Sequence, residues 1–434
     1  MNSFKILESF GSSEGRIRLY PTQIETQSFG SLQVRCTTER LVPIENATVN
    51  IASPSTPTLI IEQLTTDGSG LTDVISLPAP PIEYSLEPEA TQPYSEYNVS
   101  VTAPGYSSAL FSDINILPEV LSEQNATLSL LPAEPTAPTE ESLFVISPHT
   151  LYGDYPPKIP ESEIKPTTDT GEIVLSRVVI PEFIIVHDGP PSSAAQNHYV
   201  RFRDYIKNVA CSEIYATWPE AAIYANVLAI LSFTLNRVYT EWYPSQGYNF
   251  TITSSTAYDH KWMNGRNIFA NIANIVDSIF VNYLSRPNVR QPILTQYCDG
   301  NRVQCPNWMT QWGSKRLADQ GYSAIRILRN YYGNSMYINT AIEVSGVPSS
   351  WPGYNLNIGA SGNNVRTLQS QLNRIADDYP ALPKIVVDGA YGPRTANSVR
   401  IFQRIFNLPQ TGIVDIATWY KISFIYVAVS RIAQ

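Results

Sequence analysis

The sequence holds few of the residues that build metal sites or disulfide scaffolds: four cysteines and four histidines in 434 residues. Cys36, Cys211, Cys298 and Cys305 are too few to frame a disulfide-built fold. Reduced, mostly buried thiols are the expectation. The scattered histidines offer no convincing ligand set for a zinc hydrolase. Long apolar runs are also missing. The most apolar segment, 221–235, carries Asn226, Ser232 and Thr234 and is too short to cross a bilayer, so no membrane span is expected. Met1-Asn2-Ser3-Phe4-Lys5 lacks the apolar core of a signal peptide, and no export route is read from it. No basic stripe is interleaved with aromatics, which argues against a nucleic-acid partner. What remains is globular in composition, 43% hydrophobic with no long low-complexity run. Its length exceeds one ordinary core, so two to four domains are expected.

Charge divides the chain. Residues 1–144 carry 18 acidic against 5 basic residues, net −13; 145–345 carry 16 of each; 346–434 carry 4 against 8, net +4. Without the first segment the rest would be net +4, a charge suited to a polyanionic matrix. The competing account is that each domain simply has its own solvated surface.

The first zone, roughly 30–132, alternates in steps of two. Leu32-Gln33-Val34-Arg35-Cys36, Ala47-Thr48-Val49-Asn50-Ile51 and Tyr97-Asn98-Val99-Ser100-Val101 read as half-buried strands. Turn signals such as Asp67-Gly68-Ser69-Gly70 separate them, which predicts a small β-sandwich. Residues 133–144, with Pro135 and Pro138, read as an extended, solvated linker open to proteases. The linker leads into Leu143-Phe144-Val145-Ile146, a segment able to lie in a protease cleft as an extended strand.

The second zone, 145–345, is mixed. Ile173 to Ile185 reads as strands. A helix is expected to start near Pro219 and run towards Pro244. Residues 266–284 place Ile268, Ile272, Ile275, Ile279 and Tyr283 on one helical face. Ser323 is placed to cap a helix that ends at Gly333. The third zone predicts a compact three-helix unit: Val365, Leu368 and Leu372 share a face, Pro393 starts a second helix, and Asp415 caps a third containing Trp419. The expected fold class is therefore multidomain α+β. It comprises an acidic N-terminal region with a β-sandwich (1–132), a linker (133–144), a mixed α/β domain (145–345) and a C-terminal three-helix domain (346–434).

Three resemblances add to this reading. Pro43-Ile44-Glu45-Asn46-Ala47-Thr48-Val49 followed by the Asp-Gly turn resembles carboxypeptidase-regulatory-like sandwich domains, which usually carry no chemistry. In the third zone, Gly359 and Gly362 lead to Val365, Leu368 and Gln369; Asp388-Gly389-Ala390-Tyr391-Gly392, Thr395 and Phe402-Gln403 follow. This pattern closely resembles the peptidoglycan-binding-1 module and implies a wall-glycan ligand. Gln369 and Gln403 are expected to brace the loops of that module.

In the middle zone two stretches carry the likeness: Cys211-Ser212-Glu213-Ile214-Tyr215-Ala216-Thr217-Trp218-Pro219-Glu220-Ala221, and Met309-Thr310-Gln311-Trp312-Gly313 with Gly321-Tyr322-Ser323 and Tyr331-Tyr332. They resemble the catalytic domain of the stage II sporulation protein D family of lytic transglycosylases. Taken whole, the chain resembles spore cortex-lytic enzyme precursors. That likeness implies a pro-domain, cortex peptidoglycan as substrate, a spore location in the cortex or outer layers, and a subtilisin-like germination protease as activator. The bond Phe144–Val145 is the expected processing site. Two positions depart from the family. Leu231-Ser232-Phe233 stand where Arg-Thr-Tyr is common, and Cys305 stands where a histidine precedes Met-Ser-Gln. No metal or other cofactor is expected, and a thiol pair or a disulfide at Cys298 and Cys305 stands ahead of zinc shared with His260.

Read from its neighbours alone, Glu213 is an exposed residue before a helix, aiding its dipole. The resemblance implies instead that Glu213 is the catalytic acid and base, kept neutral by Ile214, Tyr215 and Trp218. Tyr297, Gln311 and Trp312 are the candidate substrate contacts, with core packing the competing account for the two aromatics. Asp259 and His260 are expected in a solvated Ser/Thr-rich loop. An amidase and a non-catalytic wall-binding protein are the alternative functions.

Overall fold

A computed structural model describes residues 28–88, 91–132, 141–163, 165 and 177–430. Residues 1–27, 133–140 of the expected linker and the start of the expected 173–185 strands lie outside the described residues.

The fold is mixed α/β. Eight strands open it: β1 (Ser28–Thr37), β2 (Thr48–Ser53), β3 (Thr56–Thr65), β4 (Ile75–Ala79), β5 (Ser95–Thr102), β6 (Ala109–Ile116), β7 (Leu121–Thr127) and β8 (Ser142–Val145). One sheet has the order β3-β2-β5-β6-β8. In the other, β1 lies between β4 and β7, and the strand Ile268–Phe269 adds to the outer edge of β7. The expected alternation holds where it was strongest. Leu32, Val34 and Cys36 from β1 meet Val49 and Ile51 from β2 and Val99 and Val101 from β5 in one buried cluster. Two features of this region were not legible. β1 pairs in parallel with β7, Ser31 opposite Leu121, and the expected end of the linker is β8, a parallel partner of β6.

Eight helices follow among the described residues: α1 (Phe202–Glu213), α2 (Glu220–Tyr239), α3 (Ala270–Ile279), α4 (Gln311–Asp319), α5 (Ala324–Tyr332), α6 (Asn363–Ile375), α7 (Pro393–Ile405) and α8 (Ile416–Ser430). α2 is the central helix, packed by α1, α3, α4, α5 and the strand Asn282–Ser285. It is also the one helix among the described residues long and apolar enough to cross a membrane, and 83% of its apolar window is buried inside the protein. The expected 266–284 helix is shorter. Ile268 and Phe269 pair with Glu123 and Ser122 of β7, and Tyr283 joins a strand opposite Asn339. A sheet edge offering ladder hydrogen bonds outweighs helical periodicity at both ends. Ser323 takes the cap position of α5 without a side-chain cap bond, and Gly333 ends that helix at φ +85°.

α6, α7 and α8 form the C-terminal helical unit around Val365, Leu368, Leu372, Val399, Phe402 and Trp419. Gln369 donates to Asp388 Oδ1 (2.9 Å) and Ala390 O (3.0 Å) and accepts from the Gly389 amide (2.8 Å). Gln403 repeats the device, donating to Ile413 O (2.9 Å) and accepting from the Gly412 amide (2.8 Å). Gly389 and Gly412 have φ of +78° and +67°, which a glycine adopts without steric cost. Asp415 caps α8 through the Thr418 amide at 2.8 Å.

The parts are joined. The helical unit shares one contiguous hydrophobic cluster with the middle of the chain. It touches the N-terminal sheets through Tyr379 Oη to Leu41 O (2.6 Å), Asn407 to Gln33 (3.0 Å), and the Arg35 guanidinium 5.1 Å over Phe406. The sheets in turn meet the middle region through Arg266 to Asn115 (2.7 Å) and Asn267 to the Asn115 carbonyl (2.7 Å).

Candidate active site

α1 stops at Glu213 because Ile214 turns to extended backbone, φ −137° and ψ 149°. Ile214 to Trp218 then connect α1 to α2, with Pro219 at the start of α2. This places the Glu213 carboxyl at the negative end of a helix, where a second negative charge is disfavoured. Glu213 is buried, only 3% exposed. The expectation of an exposed residue ahead of a helix, drawn from its neighbours alone, is therefore corrected.

The Glu213 carboxyl accepts the Lys261 amide at Oε1 (2.6 Å) and the Tyr297 hydroxyl at Oε2. Gln311, the first residue of α4, donates to the Glu213 main-chain carbonyl at 3.0 Å. Tyr297 and Gln311 are thus brought to Glu213 from 84 and 98 residues away. Burial pushes the Glu213 carboxyl above the ordinary glutamate range, opposed by Lys158, the Tyr297 hydrogen bond and the Lys261 amide.

Glu213, Tyr297 and Gln311 line a cavity of about 170 Å³ together with Tyr155, Lys158, Asp259 and Arg302. Trp312 does not line it. At 1% exposure its indole lies against Trp218 (4.9 Å) and Tyr215 (6.1 Å). Of the three candidate substrate contacts, Trp312 is thus the one that packs on its neighbours outside the cavity lining.

Asp259 and His260 are fully buried, which overturns the solvated-loop expectation. Asp259 accepts from Arg237 Nε (2.7 Å), the Tyr243 hydroxyl (2.6 Å), and the Thr253 amide (2.9 Å) and hydroxyl (2.7 Å). Arg237 of α2, with no exposed surface, also forms a two-point pair with Glu161 at 2.9 and 2.6 Å. His260 Nδ1 meets the Tyr205 hydroxyl at 3.0 Å, and its ring lies parallel to Tyr297 at 5.8 Å. Burial pushes its pKa well below the ordinary histidine value, so the imidazole is neutral.

Cys298 and Cys305 are bonded to each other, a disulfide closing the 299–304 loop at the cavity rim. Within that loop Asp299 accepts the Arg302 and Val303 amides, both at 2.8 Å. The general expectation of reduced thiols holds for Cys36 and Cys211, whose burial pushes both thiols up to about 12. It fails for the other two cysteines. No group of three potential metal-ligating side chains is found among the described residues.

Sequence reading missed Lys158, Arg237 with Glu161, and Arg302. Lys158 and Glu161 sit in a proline-interrupted segment without periodicity, and Arg237 carries no local mark of its buried pairing. No lining residue comes from 28–132. The expected processing residues lie on β8, at the edge of the five-stranded sheet. Phe144 stacks on Phe111 at 4.8 Å, and Val145 is 59% exposed.

Comparison with known proteins assigns one part of the molecule. Residues 361–422 match the peptidoglycan binding domain family. The C-terminal helical unit is therefore a peptidoglycan-binding domain, which makes this a cell-wall-associated protein with peptidoglycan as a partner. No curated protein matches the chain. Among solved structures the chain is similar to the Bacillus anthracis TIE protein, at 15% identity and a TM-score of 0.17, over 24% of this chain and 17% of that one. It is also similar to a type II cohesin–X-dockerin complex from Acetivibrio cellulolyticus, at 14% identity and a TM-score of 0.16, over 23% of this chain and 58% of that one. A chlorocatechol 1,2-dioxygenase from Pseudomonas putida matches at 11% identity and a TM-score of 0.15, over 28% and 61%. The chain thus spans less than two thirds of each of these, and the likenesses are local.

Proposed function

We propose that the cavity is the active site of a peptidoglycan lytic transglycosylase, acting on spore cortex and made as a proenzyme. One observation carries this reading: Glu213 is a buried carboxyl whose surroundings favour the protonated form, set in a cavity of a wall-associated protein. Such a group protonates the glycosidic oxygen leaving N-acetylmuramic acid. As a carboxylate it then takes the proton of that sugar's 6-hydroxyl and closes a 1,6-anhydro ring. Hydrolysis with water ordinarily needs a second working carboxyl. Asp259, the other fully buried carboxyl lining the cavity, has both oxygens engaged by Arg237, Tyr243 and Thr253. Tyr297 positions the acid. When Glu213 is protonated the phenol oxygen becomes the acceptor, so the contact survives both states.

Mass spectrometry of peptidoglycan fragments tests the reading. Anhydro-muramic ends are expected, with release reduced about 10³-fold or more in Glu213→Gln while wall binding persists. Free lactyl groups on intact glycan would indicate an amidase instead. No fragments from cut or uncut protein would indicate a non-catalytic wall-binding protein.

The N-terminal two-sheet region is, in this reading, a β-sandwich pro-domain, and cleavage by a subtilisin-like germination protease at Phe144–Val145 in the spore activates the enzyme. The extended backbone of β8 and the exposure of Leu143 and Val145 support that bond. Sequencing the new N-terminus after activation tests it.

A further inference from the structure

The segment 148–163 crosses the cavity and is pinned at both ends. At one end the His149 amide donates to the Tyr94 hydroxyl (3.2 Å), His149 Nε2 meets Ile214 O (3.3 Å), and Thr150 Oγ1 donates to Ser212 O (3.2 Å). At the other, the Ile159 amide donates to Ala257 O (2.6 Å), Gln296 donates to Ile159 O (3.0 Å), and Glu161 holds Arg237. Pro156, Pro157 and Pro160 stiffen the span between. Such pinning fixes one cationic side chain inside. Lys158 Nζ lies 4.7 Å from the Phe233 ring centroid and 5.0 Å from that of Tyr297, and donates to Asp259 O. The hydroxyl of that same Tyr297 is bonded to Glu213.

We propose that Lys158 is a positioning residue that sets whether Glu213 carries its proton, and that the 148–163 strap serves to hold that charge in the cavity. The proposal rests on the reading of Glu213 as the acid. The charge on Arg237 is spent on Asp259 and Glu161. Lys158 donates to a carbonyl and lies against two ring faces; the carboxylates that feel its charge are Glu213, Asp259 and Glu161, and the last two are already paired with Arg237. Burial lowers Lys158 to about 8, which leaves it mostly charged near neutrality. An ammonium in a poorly solvated cavity favours the neighbouring carboxylate over the acid. Lys158 therefore caps the pH range over which Glu213 can donate. Because Tyr94 belongs to the N-terminal region, the near end of the strap is anchored in that region as well as in α1.

The charged and titratable groups facing the Glu213 carboxyl are Lys158 and Tyr155 of the strap, Tyr205 of α1, Lys261 and Tyr297, and those facing Lys158 include Asp259, Arg237 and Glu161 as well. Infrared titration of the full chain reads the Glu213 carboxyl band, assigned by its loss in Glu213→Gln. In Lys158→Gln, which keeps a donor for Asp259 O, the protonation midpoint is expected to rise by about one pH unit. Lys158→Arg should keep the wild-type midpoint. An unshifted midpoint in Lys158→Gln, or equal shifts in both variants, overturns the proposal. A second reading avoids substituting Lys158. In the unsubstituted chain the Lys158 Nζ magnetic resonance should inflect at the Glu213 midpoint, and Glu213→Gln should remove that inflection. A resonance indifferent to Glu213 equally overturns the proposal. Neither measurement needs enzymatic turnover, so failure of the transglycosylase reading shows separately, in the fragment masses.

Discussion

The peptidoglycan-binding domain and the cavity treat buried polar groups in opposite ways. In the domain, Gln369 and Gln403 find all their partners within 26 residues, across loops whose glycines are fixed by the same bonds. In the cavity, Glu213 meets groups 48 and 84 residues away, and Arg237 reaches 76 residues back to Glu161. The domain uses neutral amides, each fully paired. The cavity buries charges whose balance depends on four separate segments. Local neutral bracing gives a module that keeps its form wherever it is attached, whereas long-range charge balance gives a site sensitive to every segment that feeds it.

The contrast is broken most directly at Arg237. Arg237→Met leaves the buried Asp259 without its cation and Glu161 with Lys165 alone, at a cost of about 3–5 kcal/mol. Thermal denaturation should show a large fall in Tm, and proteolysis should open the middle region first. A loss below about 1 kcal/mol would mean that the pair behaves as a surface ion pair and that the contrast is false. Gln403→Ala is the matching change in the domain. It strands the Gly412 amide and should cost about 1–3 kcal/mol. Wall binding should weaken while the Glu213 band in the infrared keeps its wild-type midpoint. A shifted midpoint would show that the two regions are coupled after all.

The smallest expected effect sharpens the comparison by pH. Because burial raises the folded-state pKa of Glu213, its contribution to stability is fully present below the ordinary glutamate range and is lost as pH rises through the raised value. Above that raised value the ionised carboxyl works against the fold. Glu213→Gln should raise Tm modestly at about pH 7, and the gain should vanish towards about pH 4. No comparable pH-dependent gain is expected for Gln369 or Gln403, which do not ionise. A Tm difference independent of pH would point to packing rather than charge.

Where neighbours in sequence are also neighbours in space, the chain was readable. The period-two alternation of β1, β2 and β5 reports one buried face, and the glycine and glutamine pattern of the C-terminal domain reports its loops. Pro219 and Gly333 marked real helix ends. Where a distant segment intervened, reading failed. Ile268 looked helical until β7 offered its edge, and the packing of Trp312 on Trp218 and Tyr215 had no local mark. Asp259 looked solvated in a Ser/Thr-rich loop, yet Arg237 from α2 and Tyr243 enclose it.

From residue order came the three-helix C-terminal unit and the sheet-forming first zone; the wall-binding reading and the choice of position 213 came through resemblance. Tertiary structure alone decided that this carboxyl is buried, which hydroxyl it meets, that Cys298 and Cys305 are joined, and that a lysine from a proline-rich strap shares the cavity. The division has a physical cause. Backbone preference and face periodicity act over a few residues, whereas desolvation and charge proximity are fixed by what the folded chain brings alongside.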